Sequence, residues 1–100
     1  EMVGNRQISG TGGYVDFMRS ACASKGGRSI VAMSASTKDR KISKIVPRVD
    51  FVTALRTDVD TIVTEYGVAE IKNCSLKERA KKLIEISDPL HQEELTKFIN

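Results

Sequence analysis

Thr61-Ile62-Val63-Thr64-Glu65-Tyr66-Gly67 opens with four β-branched residues in succession. Their stiff side chains suit a pleated sheet surface better than a helix. The run reads as a strand over 61–64, with Tyr66-Gly67 as its stop. Glu65 then falls at the carboxyl end of that strand, where open α/β sheets place ligand-contacting groups. On these residues alone a plain surface glutamate is the favoured reading.

Working outward, Ser29 to Met33 is a second short apolar run, bounded by Gly26-Gly27 on one side and Ser34, Ser36 and Thr37 on the other. It reads as a buried strand. Ile42 to Pro47 alternates imperfectly and is expected to be a further, weaker strand. Val15, Met18 and Cys22 recur at helical spacing, with Phe17 and Ala21 widening the face, so a helix is expected from about Tyr14 until Lys25-Gly26-Gly27 stops it. Downstream, Ser75-Leu76-Lys77-Glu78 fits a capping box for a helix burying Leu76, Ala80, Leu83 and Ile84, with Lys77, Lys81 and Lys82 outward. Asp88-Pro89 repeats the start signal for a last helix carrying Leu90, Leu95, Phe98 and Ile99. Strands separated by longer excursions and closed by helices indicate an α/β sheet.

The 100 residues allow one domain, and 40% hydrophobic with 29% charged residues is an ordinary globular composition. No apolar run reaches the roughly 18 residues of a membrane span, and no signal-peptide pattern leads the chain, so the cytosol is the expected compartment. Cys22 and Cys74 stand alone, without a CxxC or Cys/His cluster, and are expected to be reduced, partly buried thiols. No residue grouping supports a metal site. Charge is uneven. Lys25, Arg28, Lys38, Arg40, Lys41, Lys44 and Arg48 face only Asp39 within 25–48, a local balance of +6, and residues 49–70 reverse it to −4. Such a basic run suits a phosphorylated ligand, although a solvated loop is its commoner cause. The five aromatic rings are not interleaved with these cations, which argues against nucleic acid. His91, the single histidine, is expected at the surface.

Ser9-Gly10-Thr11-Gly12-Gly13-Tyr14 precedes the first expected helix, where backbone N–H groups and the positive helix end stabilise an anion. Gly10 and Gly12 supply GxG, but Val15 stands at the third glycine position of the dinucleotide fingerprint, no convincing strand leads into the loop, and no P-loop ending follows. A structural turn remains as good a reading as a phosphate or acyl site.

Taken in order, QISGTGGYVDF, SKGGRSIVAMSAS, KISKIVP, RTDVDTIVTEYGVAEI and SLKERAKKLIEISDP resemble the carboxyl-terminal part of the acetyl-CoA hydrolase/transferase family, of the 4-hydroxybutyrate CoA-transferase type. The similarity runs from about Gln7 to Leu95. It implies an open, mostly parallel sheet flanked by helices, with residues 1–100 as the C-terminal portion of a CoA-transferase catalytic domain. It also implies acyl-CoA and a small carboxylate as substrates, coenzyme A as the carried group rather than a covalently bound cofactor, and a homo-oligomeric parent with no nucleic-acid or membrane partner. In such enzymes a glutamate carboxylate attacks the thioester and becomes a glutamyl-CoA thioester. That nucleophile lies upstream of the GxGG loop, where this chain has only Glu1, so the chain is expected to be part of something longer and inactive alone. Gly12 and Gly13 match the GxGG glycines that donate N–H groups to the thioester oxyanion, Gly10 belongs to the same CoA-binding loop, and Glu65 matches the glutamate lining that active site in a supporting role. Fixed donors of this kind contribute roughly 3 kcal/mol each to transition-state stabilisation. Asp16 is expected to hold the loop or cap the helix. Arg40 departs from the pattern, since relatives commonly carry glycine in the corresponding KGGKIS. The alternative is a non-catalytic α/β module binding CoA or another phosphorylated ligand; nucleic-acid binding ranks last.

Overall fold

The computed structural model describes residues 2, 3, 6, 7, 13–49, 52 and 55–99. A short antiparallel hairpin, β1 (Met2–Val3) with β2 (Arg6–Gln7), comes first. These two-residue strands carry no hydrophobic run, and for that reason nothing in the sequence announced a strand ahead of the glycine loop. Helix α1 (Tyr14–Ala23) follows, then β3 (Ile30–Ala32), a single 3₁₀ turn (Arg56–Asp58), β4 (Thr61–Thr64), β5 (Gly67–Glu70), α2 (Leu76–Glu85) and α3 (Pro89–Thr96).

The main sheet has the order β3-β4-β5. β3 pairs parallel with β4 in the register Ile30↔Thr61, and β4 pairs antiparallel with β5 in the register Thr64↔Gly67. The expected α/β sheet is therefore present, and its three strands are mixed, with one parallel and one antiparallel ladder. β5 is the element the sequence reading passed over. Tyr66-Gly67 ends β4 by reversing the chain into β5, and Gly67 takes φ 150°, a backbone state that side-chain-bearing residues rarely adopt. Ile42 to Pro47 is not a strand. It touches the fold through one isolated bridge, Ser36↔Ser43, and is otherwise loop.

Helices α2 and α3 lie on the sheet face that carries Ile62 and Ala69. The core there joins Ile45, Ala69, Ile71, Ile86 and Leu95, with Met33, Val59, Ile62, Leu83 and Ile84 packed around them. Ser75 caps α2 as expected, its Oγ accepting from the Glu78 N–H at 3.2 Å. The stripe expected to be buried is only half-buried at Ala80, Leu83 and Ile84 and exposed at Leu76 (65%), and Lys82 turns inward, its Nζ donating to the Glu70 carbonyl. In α3, Leu95 is buried and Leu90 exposed, and Phe98, expected on this helix, lies beyond its end and is exposed. Helix α1 buries only Met18 and leaves Phe17 exposed; it is tied to the 3₁₀ turn by Arg19 to Asp58 at 3.2 Å and by the Cys22 thiol donating to the Asp58 carbonyl. Cys22 is exposed, against the expectation of partial burial, and Cys74 is half-buried; both are free.

The opposite sheet face is exposed along its two outer strands, β3 and β5, and buried at Thr61 of β4. Ala32, Val63 and Val68 lie side by side across it with Ile30 on the same face, and Ile30 and Val68 are 57% and 61% exposed. The accessible surface of the chain is 7380 Å². A self-contained monomer of 11.0 kDa exposes roughly 5,600 Å².

Candidate functional site

The site assembles at the carboxyl ends of β3 and β4, as the Glu65 expectation required. Glu65 and Tyr66 form the turn between β4 and β5. The Ala35 N–H, just beyond β3, donates to Glu65 Oε1 at 2.7 Å. Ala35 itself is completely buried, and its carbonyl accepts from the Lys44 N–H at 2.8 Å, so the donor sits on a fixed stretch of backbone. The other side of the turn is fixed by Thr64. Its hydroxyl donates to the Ile86 carbonyl and accepts from the Tyr66 N–H at 3.1 Å.

Beside this turn lies a polar cluster that spans 52 positions of sequence. Asp88 is fully buried. Its Oδ2 accepts from Ser36 Oγ at 2.8 Å and Arg40 Nε at 2.9 Å, and its Oδ1 from Arg40 Nη2 at 2.8 Å and the Leu90 N–H at 3.0 Å. All the lone pairs of the carboxylate that the fold can reach are thereby used. The Arg40 bonds, aided by those from Leu90 and Ser36 and opposed by burial, hold the Asp88 carboxyl well below the usual carboxylate range. The same bonds push the Arg40 guanidinium higher still, with Tyr66 adding to the effect. His91 donates from Nε2 to the Arg40 carbonyl at 2.8 Å.

Arg40 has φ 63°, in the left-handed region. The turn that puts it there is closed by Thr37, whose N–H donates to the Ile42 carbonyl and whose carbonyl accepts from the Arg40 N–H. Thr37 Oγ1 also donates to Asp39 Oδ1 at 2.7 Å, which with the Lys41 N–H lowers the Asp39 carboxyl. This left-handed turn is thus made without glycine, and the Arg40 side chain reaches Asp88.

Gly13 is the N-cap of α1 and its carbonyl accepts from the Phe17 N–H at 3.1 Å. Gly10 and Gly12 lie outside the described residues. The contacts described for Gly13 and for Glu65 do not join the two. Asp16 does not cap α1; it occupies the first turn, where its charge complements the helix dipole. Two cations of the basic stretch are neutralised within the fold, Arg28 by Glu70 and Arg40 by Asp88, both at 2.8 Å. Lys25, Lys38, Lys41, Lys44 and Arg48 are exposed. An apolar cleft of about 600 Å³ between α2 and the 45–49 loop contains none of these groups. No cluster able to hold a metal ion occurs among the described residues.

Comparison with known proteins identifies the family of the chain. Residues 1–99 match the family described as Acetyl-CoA hydrolase/transferase C-terminal domain. The chain belongs to this family. It is 47% identical over 98 residues to the 4-hydroxybutyrate coenzyme A transferase of Clostridium kluyveri, covering 95% of this chain and 23% of that protein. It is 34% identical over 98 residues to an acetyl-CoA hydrolase of Kluyveromyces lactis, covering 97% and 18%. The crystal structure of RipA from Yersinia pestis superposes with a TM-score of 0.89 at 43% identity, covering 98% of this chain and 22% of that one. This acetyl-CoA hydrolase/transferase domain therefore spans less than a quarter of the length of these relatives.

Sequence reasoning placed Glu65 just after β4, Gly13 at the start of α1 and Asp88 as the cap of α3. It missed the pairing of Asp88 with Arg40 and Ser36. The signal available was the departure of Arg40 from glycine beside a free aspartate at a helix start.

Proposed function

We propose that this chain is the C-terminal portion of the catalytic domain of a CoA-transferase that moves CoA between a small acyl-CoA and a carboxylate, of the 4-hydroxybutyrate and acetate type. The match of residues 1–99 to the family is the observation that carries this reading. The anchored carboxylate of Glu65 at the carboxyl end of the sheet supports it. Acceptance by a carboxylate rather than by water follows the higher identity to the transferase than to the hydrolase.

A glutamate from another segment of the enzyme attacks the acyl-CoA carbonyl and expels the CoA thiolate, leaving an acyl-glutamyl anhydride. The thiolate then attacks the glutamyl carbonyl and releases the first acid. The second acid reverses both steps on the glutamyl-CoA thioester. The backbone N–H groups of Gly12 and Gly13 are the donors to the oxyanion that forms at each attack, with Gly10 shaping the same loop. Glu65 lines the site and orients the nucleophilic carboxylate. Two adjacent carboxylates share their protons as a pair.

The exposed outer strands of the sheet and the surface excess of roughly 1,800 Å² are covered by the remainder of the enzyme. The two free thiols suit the reducing cytosol.

A chimera tests the reading: residues 1–100 replace the matching segment of the Clostridium kluyveri enzyme, and CoA exchange between 4-hydroxybutyryl-CoA and acetate is measured. Exchange by the chimera, together with no calorimetric binding of CoA to the isolated chain, is expected. A folded chimera without exchange, or tight CoA binding by the isolated chain, favours the non-catalytic module.

A further inference from the structure

The three residues between α2 and α3, Ile86, Ser87 and Asp88, are 3%, 0% and 0% exposed. A helix-to-helix connection normally runs over the surface. This one is buried, and it touches the Glu65 turn from both sides. On one side the Ile86 carbonyl receives the Thr64 hydroxyl, which in turn accepts from the Tyr66 N–H. A Cβ on Gly67 would lie 3.4 Å from Ile86 Cγ2, so the hairpin rests directly on this side chain. On the other side Asp88 Oδ2 receives the Ser36 hydroxyl, and the residue before Ser36 is Ala35, whose N–H points at Glu65 Oε1.

We propose that Asp88 is a positioning residue for Glu65, acting through Ser36 to aim the Ala35 N–H at the Glu65 carboxylate. Arg40 completes the arrangement. Its bidentate fork fixes the plane of the Asp88 carboxylate, leaving Oδ2 directed at Ser36. The cap that Asp88 gives α3 through the Leu90 N–H uses the other oxygen, so capping and positioning are separable. The left-handed backbone at Arg40 is then the condition for reach. Thr37 closes the turn, and the guanidinium arrives at the buried aspartate instead of solvent.

The importance of this relay for turnover rests on the reading of Glu65 as an active-site carboxylate; the relay itself does not. The test is Ser36→Ala, which cuts the link to Ala35 and leaves the Arg40 fork and the α3 cap in place. Amide hydrogen exchange by NMR on the chain should show protection at Ala35 falling roughly tenfold, the scale of one charge-assisted bond. Protection at Leu90 and His91 should stay unchanged, and Ser36→Thr should restore Ala35. Unchanged protection at Ala35, or an equal fall at Ala35, Leu90 and His91, overturns the proposal. In the chimera Ser36→Ala should lower kcat with KM unchanged and Ser36→Thr should recover it; unaltered kcat, or a loss that merely follows a lower Tm, also overturns it. An Ala35 effect alongside full activity of Glu65→Ala would leave the relay standing and remove the functional reading of Glu65.

Discussion

Arg40 holds a left-handed backbone that glycine would adopt more readily. Glycine reaches the left-handed region freely, and a side chain there is disfavoured by contact between Cβ and backbone. Here the paired guanidinium offsets that disfavour. The departure was legible at one position, but its partner lies 48 residues away, a separation that no local rule spans. The pH consequence follows from Asp88. Its folded-state carboxyl is depressed below the ordinary aspartate value. The stabilisation it gives is therefore complete only well above the ordinary aspartate value of about 3.9 and is lost progressively as pH falls below it toward the depressed one. Arg40 is raised further above an already high value, so no matching loss occurs in alkali. Thermal melts from about pH 7 to pH 3 should show wild type losing its advantage over Asp88→Asn. Parallel curves for the two proteins would count against the pair.

At the scale of the element, the parts that were legible are those whose start signals are local. Ser75 and Asp88-Pro89 placed α2 and α3 because a cap satisfies its own first turn and needs no distant contact. Ser75→Ala should cost about 1 kcal/mol, read as a Tm lowered by roughly 4–8 °C; an unchanged Tm would show that the cap contributes nothing. The β-branched run of β4 was equally plain. β5 was not, because its four residues carry too short an alternation to separate strand from turn, and only pairing with β4 makes them a strand. The 42–47 segment failed in the opposite direction. It has strand-like residues, but its hydrogen bonds go to the Thr37 turn and to Ala35 rather than to a ladder. Its Ile45 is still buried in the core, so the apolar signal was real and its secondary structure was not.

At the scale of the molecule, the fold places two helices on one sheet face and leaves Ile30 and Val68 of the other exposed. An 11.0 kDa chain presenting so much apolar surface should bind a hydrophobic dye such as ANS when isolated. Ile30→Lys with Val68→Lys should lower that signal without unfolding the chain. An undiminished signal would show that this sheet face does not take up the dye. Composition and charge could not have shown this openness, since burial of a sheet face depends on what packs over it. The basic stretch was similarly misleading as a count, because Arg28 and Arg40 are already paired within the fold.

The central claim is that Glu65 belongs to a CoA-transferase active site. It is tested most directly by the rate of CoA exchange in the chimera carrying Glu65→Ala, measured beside the unaltered chimera. A loss of roughly a hundredfold, the scale of a misplaced reacting group, with Tm unchanged to within a few degrees, is the predicted result. Exchange at the unaltered rate would contradict it.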